Sequence, residues 1–332
     1  MPHTTTLDPP GWATVFTTWH LHPVLLACAV AAVFAYVEGV RALNRRHPRR
    51  RWPWWRTVSF VAGVAVVVAA VDGSVAAYGD VLFWVHMIKH LMLIMLAPWL
   101  LAMGYPVTLL LRASRGRRRL RARAVLRSRP VRVLTNPLVT LGCYVLVVIG
   151  VHLSGFMQAM MEHPWLAFVE SAAYLLSGYL FFSQTLTDEP SAWDLPHPLR
   201  LFLQFIAMSA DTLVGVVLLQ TAAVPWAAYA APHRSFGPSP LEDLHGGAAV
   251  MWIGGDGLMV VMMIVIAARW LSDRRPEAGT AGRWLESARR AALAESAGAD
   301  PALAGGDVDR DEAALAAYNA MLARLAARER QT

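Results

Sequence analysis

Seven stretches of this chain stay apolar for about 20 residues each: 22–43, 56–72, 81–103, 133–153, 164–186, 199–221 and 245–270. The hydrocarbon core of a bilayer is roughly 30 Å thick, and a helix rising about 1.5 Å per residue crosses it in about 20 residues. Recurrence at that length predicts an all-α fold, a polytopic transmembrane helix bundle of seven spans. Composition agrees, because only 16% of the residues are charged, against about a quarter in a soluble domain. The chain then divides into an extracytoplasmic segment 1–21, a transmembrane domain 22–270 and a cytoplasmic tail 271–332. MPHTTTLDPPGW at the start lacks the positive region of a signal peptide, so the first span is expected to remain in the mature protein.

The arginines set an orientation. Segment 41–56 holds seven and segment 104–132 holds ten, whereas 72–80 and 154–163 hold none and 222–244 has only Arg234. Basic loops stay on the cytoplasmic side, which puts the N-terminus outside and the tail inside a bacterial-type plasma membrane. The net charge of +7 thus faces anionic lipid headgroups, and a nucleic-acid partner is not expected. Cys28 and Cys143 fall in different spans without a CxxC pair. They supply neither a disulfide framework nor a zinc ribbon.

With this orientation, nine of the eleven histidines lie outside or in the outer half of a span; only His47 and His197 face inward. Met87, Met157, Met160, Met161 and Met251 lie at similar depth. The densest cluster is FWVHMIKHLML, residues 83–93, which carries His86, His90 and the chain's only lysine, Lys89. Residues four apart share a helix face with β-carbons about 6 Å apart, close enough for two imidazoles to reach one ion. Ionisable groups in hydrocarbon cost several kcal/mol and usually face the bundle interior. Others here are His152, Glu170 (on a stripe with Tyr174 and Ser177), Asp211, His245 and Asp256. Each alone is explained by interhelical hydrogen bonding. Two histidines one turn apart, with His152 and His245 at like depth, point instead to a metal site.

The expected ligands are His86, His90, His152 and His245, supported by Lys89, Glu170, Asp211, Asp243, Asp256 and Met87. Lys89 is expected to pair with a carboxylate, Glu170 or Asp211. Imidazole with nearby thioether on an oxidising face suits copper, and the HExxH motif of a catalytic zinc site is absent. Two other readings stay open. One is a haem-binding redox protein with histidines ligating iron; the other is a metal permease using the deeper Asp211 and Asp256.

HMIKHLMLIMLAPWLLAMGYPVTLLLR (86–112) resembles the signature of the caa3-type CtaG family, cytochrome c oxidase assembly factors. His86, His90, Pro98, Gly104 and Pro106 carry the likeness. It continues through 152–186, 198–220 and LEDLHGGAAVMWIGGD (241–256), so it covers roughly 80–270. The chain departs at Ala167 and Ser171, where relatives often have histidines, and at His245, where glutamine is common. The resemblance implies a non-enzymatic factor that assists oxidase subunits by supplying copper.

The tail 271–332 carries nine arginines against ten acids. Leu315, Tyr318, Leu322 and Leu325 recur at helical spacing, which predicts an amphipathic helix.

Overall fold

A computed structural model of the chain describes residues 8–11, 14, 17–49, 51–163, 165–230 and 235–272, together with 319 and 323. Among them there are helices and no strand. His3, His233 and the expected tail helix lie outside the described residues. Residues 1–267 form one compact unit and 268–332 a second.

Among the described residues, six helices are long and apolar enough to cross a membrane: α1 (Pro23–Arg46), α2 (Trp54–Asp72), α3 (Phe83–Ala113), α5 (Trp165–Thr185), α6 (His197–Leu219) and α7 (Pro240–Ser272). Between them comes α4 (Pro137–His152), apolar but only 16 residues long, which is about 24 Å. The expected run 133–153 is shortened by its own sequence. Pro137 forces Asn136 into extended backbone (ψ 130°), as prolines do to the preceding residue. Arg129–Leu134 becomes a separate short helix. Asn136 then caps α4, its side-chain oxygen accepting from Leu138 N at 3.0 Å.

Proline at the first helical position marks several starts, where its missing N–H costs nothing. At α7 this is joined by a capping box. Ser239 Oγ accepts from Glu242 N, and the Glu242 carboxylate accepts from Ser239 N.

α3 is the hub. Its first part contacts the start of α7; its middle faces α5; its 97–103 portion packs on α2. α5 also packs on α4, and α6 on α4 and α7, while α1 stays at the edge against α2 and Pro106–Ala113. Immediately after His90 the helix widens into a π turn, Met92–Leu96. α7 has its own π turn, Val250–Gly254. Such turns insert a residue and recur at functional sites. The second packs beside the start of the first: Gly254 and Gly255 sit against Leu91 and Met95, the close approach that two glycines permit.

Pro98 has no N–H to give the Ile94 carbonyl one turn earlier. Gly178 of α5 closes directly over that carbonyl, leaving no room for a Cβ. α3 ends its first stretch at Gly104–Tyr105–Pro106, where Tyr105 takes a left-handed φ of 53°. The Arg56 guanidinium lies 3.8 Å from the Tyr105 ring and helps hold that conformation.

Candidate metal site

The site begins with how α3 starts. Leu82, before its first residue, has no side chain able to cap, so the job passes to α7. Asp243 accepts from Phe83 N (Oδ2, 3.0 Å) and from Trp84 N (Oδ1, 3.0 Å). A carboxylate on a helix N-terminus is favoured by both hydrogen bonding and the dipole. This contact fixes the position of α3 against α7, and with it the face that carries His86 and His90.

Both imidazoles are about 1% exposed, and their rings meet at 4.2 Å, nearly perpendicular. Glu170 of α5, fully buried, points between them. Its Oε1 lies 3.3 Å from His90 Nε2 and 3.7 Å from His86 Nε2. Its Oε2 lies 3.7 Å from Lys89 Nζ. Of the two carboxylates expected for Lys89, the structure brings Glu170 to it.

His152, the last residue of α4, orders the protons. Its Nδ1 is 2.8 Å from the Val148 carbonyl, an acceptor only, so that nitrogen carries the hydrogen. The His152 Nε2 lone pair then accepts from His90 Nδ1 at 3.1 Å. The His90 proton is thereby assigned to Nδ1, and His90 Nε2 turns an unprotonated lone pair towards Glu170. Tyr174 supports the pair: its ring stacks on His90 at 4.2 Å, and its hydroxyl is 3.4 Å from His152 Nδ1. His152 is thus an orienting residue for His90.

Five buried atoms in this cluster find no hydrogen-bond partner: His86 Nδ1 and Nε2, His90 Nε2, and both Glu170 oxygens. Unsatisfied buried groups each cost about 1–3 kcal/mol, and such a concentration calls for a ligand. One atom from each of His86, His90 and Glu170 lies within 4.8 Å of the other two. Two ligands about 2.1 Å from one tetrahedral ion stand about 3.4 Å apart, which matches the 3.3 and 3.7 Å separations. The residues present fit a metal ion.

Other expected residues do not join. His245 Nε2 is 3.1 Å from the Thr221 carbonyl. The reason lies two residues earlier: with Asp243 turned to α3, a residue about 200° further round the helix faces elsewhere. Met87 is fully buried with its side chain against Gly247. Met157, Met160 and Met251 are also part of the main apolar core. Asp211 accepts from Tyr144 OH at 3.0 Å, and Asp256 from Thr212 Oγ1 at 2.8 Å. These two carboxylates form a separate polar layer on α6 and α7.

Aromatic residues of the segment before α7 cover the cluster at the start of α3. Trp226 stacks on Phe83 at 5.1 Å. Tyr229, 6.3 Å from the His86 ring, donates to the Gly79 carbonyl at 2.6 Å. Tyr174, Trp226 and Tyr229 were not legible as site residues. Tyr174 shares a helical stripe with Glu170, but nothing in the sequence says that its ring meets His90.

A sequence model of the cytochrome c oxidase caa3 assembly factor family matches residues 34–273. Uncharacterized proteins of Mycobacterium bovis and Mycobacterium tuberculosis are each 30% identical over 96% of this chain, and one of Mycobacterium leprae is 26% identical over the same share. The chain spans about half the length, 46%, of these curated relatives. No solved structure matches it significantly.

Proposed function

Because the chain belongs to the cytochrome c oxidase caa3 assembly factor family, we propose that it is a non-enzymatic factor that holds copper and hands it to an oxidase subunit. The observation that carries this reading is the set of five buried donor atoms on His86, His90 and Glu170 that make no hydrogen bond. These three residues would hold the ion, His152 and Tyr174 would aim His90, and Lys89 would share the carboxylate. Imidazole suits copper among the first-row metals, and a carboxylate oxygen in place of a thioether favours the divalent state. Few ligands, with an ammonium competing for one of them, suit cargo that has to leave again.

In this reading α4 serves as a seventh span, the membrane thinning or its flanks snorkelling to accommodate 16 residues. Seven spans put the termini on opposite sides, and the arginine-rich connections assign the tail to the cytoplasm. The histidine end of α3 then faces the outer side beneath Trp226 and Tyr229, where an oxidase copper centre could be served.

Metal analysis and an absorption spectrum of the purified protein test the proposal together. Copper near one equivalent per chain, lost in His90→Ala, is the expected result. A Soret band with no copper would replace it by the haem reading.

A further inference from the structure

Towards the other end of α3 from these histidines, the structure has a cleft of about 340 Å³ between the α1–α2 connection and the corner that follows α3. That is at the small end of the roughly 300–1,000 Å³ range of ligand clefts. Its basic residues are His47, Arg51, Arg112 and Arg119. They come from the end of α1, the connection before α2, the end of α3 and the helix Gly116–Leu126. No acidic residue among the described residues lines the cleft. Three guanidinium groups gathered in one concavity repel one another unless an anion sits among them.

The opposite wall is apolar, formed by Leu43 and Trp52, each 5% exposed. It is also held in place. Trp52 Nε1 donates to Tyr36 OH at 3.1 Å, Trp52 N donates to Asn44 Oδ1 at 2.7 Å, and the Arg56 guanidinium lies 4.9 Å from the indole. Tyr36 in turn donates to the Gly104 carbonyl at 2.6 Å, linking this wall to α3. The cleft therefore pairs a fixed indole with three arginines, whose planar forks suit phosphate oxygens bidentately.

We infer that this cleft binds the phosphate group of an anionic phospholipid, with the arginines on the phosphate and Leu43 and Trp52 against the start of the acyl chains. The chemistry is shared with free phosphate, but two observations select the lipid. One wall is apolar, and the cleft lies where the apolar helix α1 gives way to Arg45 and Arg46, the depth of headgroups.

Native mass spectrometry of the purified full chain in neutral detergent tests it, with phosphatidylglycerol, phosphatidylcholine and inorganic pyrophosphate as probes. The double variant Arg112→Gln/Arg119→Gln is compared with Arg121→Gln/Arg123→Gln, which removes equal charge outside the cleft, from the helix that carries Arg119. The expected result is preferential phosphatidylglycerol binding, weakened roughly tenfold (about 1.4 kcal/mol) by the cleft variant and less than about twofold by the other. Equal weakening by both pairs would mean diffuse surface charge, and equal binding of both lipids would mean no headgroup selection; either overturns the inference. Pyrophosphate displacing the lipid at equal concentration would assign the cleft to a free anion instead. Copper content is untouched in every arm, so failure here leaves the metal reading standing.

Discussion

His90 Nε2 and Glu170 Oε1 face each other at 3.3 Å without a hydrogen bond between them. Their separation is that of two ligands on one ion, so each should be needed for metal. His86→Ala and His90→Ala are expected to abolish stoichiometric copper and to lower oxidase assembly while the protein still accumulates. Glu170→Gln, which keeps the size and removes the charge, and His152→Ala, which only frees the His90 ring, should each weaken binding by about 10–100-fold. Equilibrium dialysis against a copper chelator reads these differences. Full copper in both alanine variants would reduce the histidines to helix contacts.

Lys89 Nζ and Glu170 Oε2 are 3.7 Å apart, and both side chains are buried. Removing one partner of such a pair strands the other charge, at about 3–5 kcal/mol. Lys89→Met should therefore lower the thermal midpoint strongly. Lys89→Met/Glu170→Gln should recover most of the stability but not the copper. This separates the structural and ligand roles of Glu170, and a silent Lys89→Met would refute the pairing.

Asp243 caps α3 from another helix through two 3.0 Å bonds. Asp243→Ala removes both acceptors and should cost about 1–2 kcal/mol. Asp243→Asn, which keeps one carbonyl oxygen, should fall between. Thermal unfolding in detergent measures the order; an alanine variant as stable as the parent would contradict the cap.

Much of this arrangement was legible in the sequence, and the rest was not for identifiable reasons. Apolar run length gave the helices, because burying a backbone in hydrocarbon leaves few options. It overstated the fourth, where Asn136–Pro137 breaks a run that hydropathy alone reads as continuous. The i,i+4 spacing of His86 and His90 showed their shared face, a property of one helix. Which third residue meets them depends on the rotation of α5 and α7, which no local pattern encodes. Thus Glu170 ranked as support and His245 as a ligand, although Asp243 settles the rotation of α7 the other way.

Glu189, in the connection after α5, accepts from Thr108 N at 2.9 Å. Burial pushes its carboxyl up to about 7, with the hydrogen bonds from Thr108 and Val107 and the charge of Arg56 pulling the other way. The unfolded chain releases this proton near pH 4.3, so between about pH 5 and 7 the folded state holds more protons. Stability from this group is therefore full at low pH and declines as pH rises through about 7. Glu189→Gln keeps the acceptor without the proton, and should flatten the fall of the thermal midpoint between pH 5 and 7. An unchanged slope would show that Glu189 does not titrate there.

Gly178 lies over the Ile94 carbonyl, and a Cβ at this position would overlap that carbonyl and crowd the Pro98 ring. Neither neighbour can retreat easily. Ile94 belongs to the π turn after His90, and Pro98 is locked in the next helical segment. Gly142 and Gly150 of α4 are helical glycines with nothing within 4 Å of an added Cβ, so alanine there should be neutral or gain up to about 1 kcal/mol of helix propensity. Gly178→Ala should reverse that sign, losing about 1–3 kcal/mol as α5 is pushed off α3. Glu170 sits eight residues before Gly178, a little over two turns away on the same helix α5. A displaced α5 therefore carries Glu170 away from His86 and His90, and copper affinity should fall together with the thermal midpoint. Gly142→Ala and Gly150→Ala should leave copper unchanged. If Gly178→Ala matches those two in both stability and copper, the close approach of α5 to the π turn does not position the site.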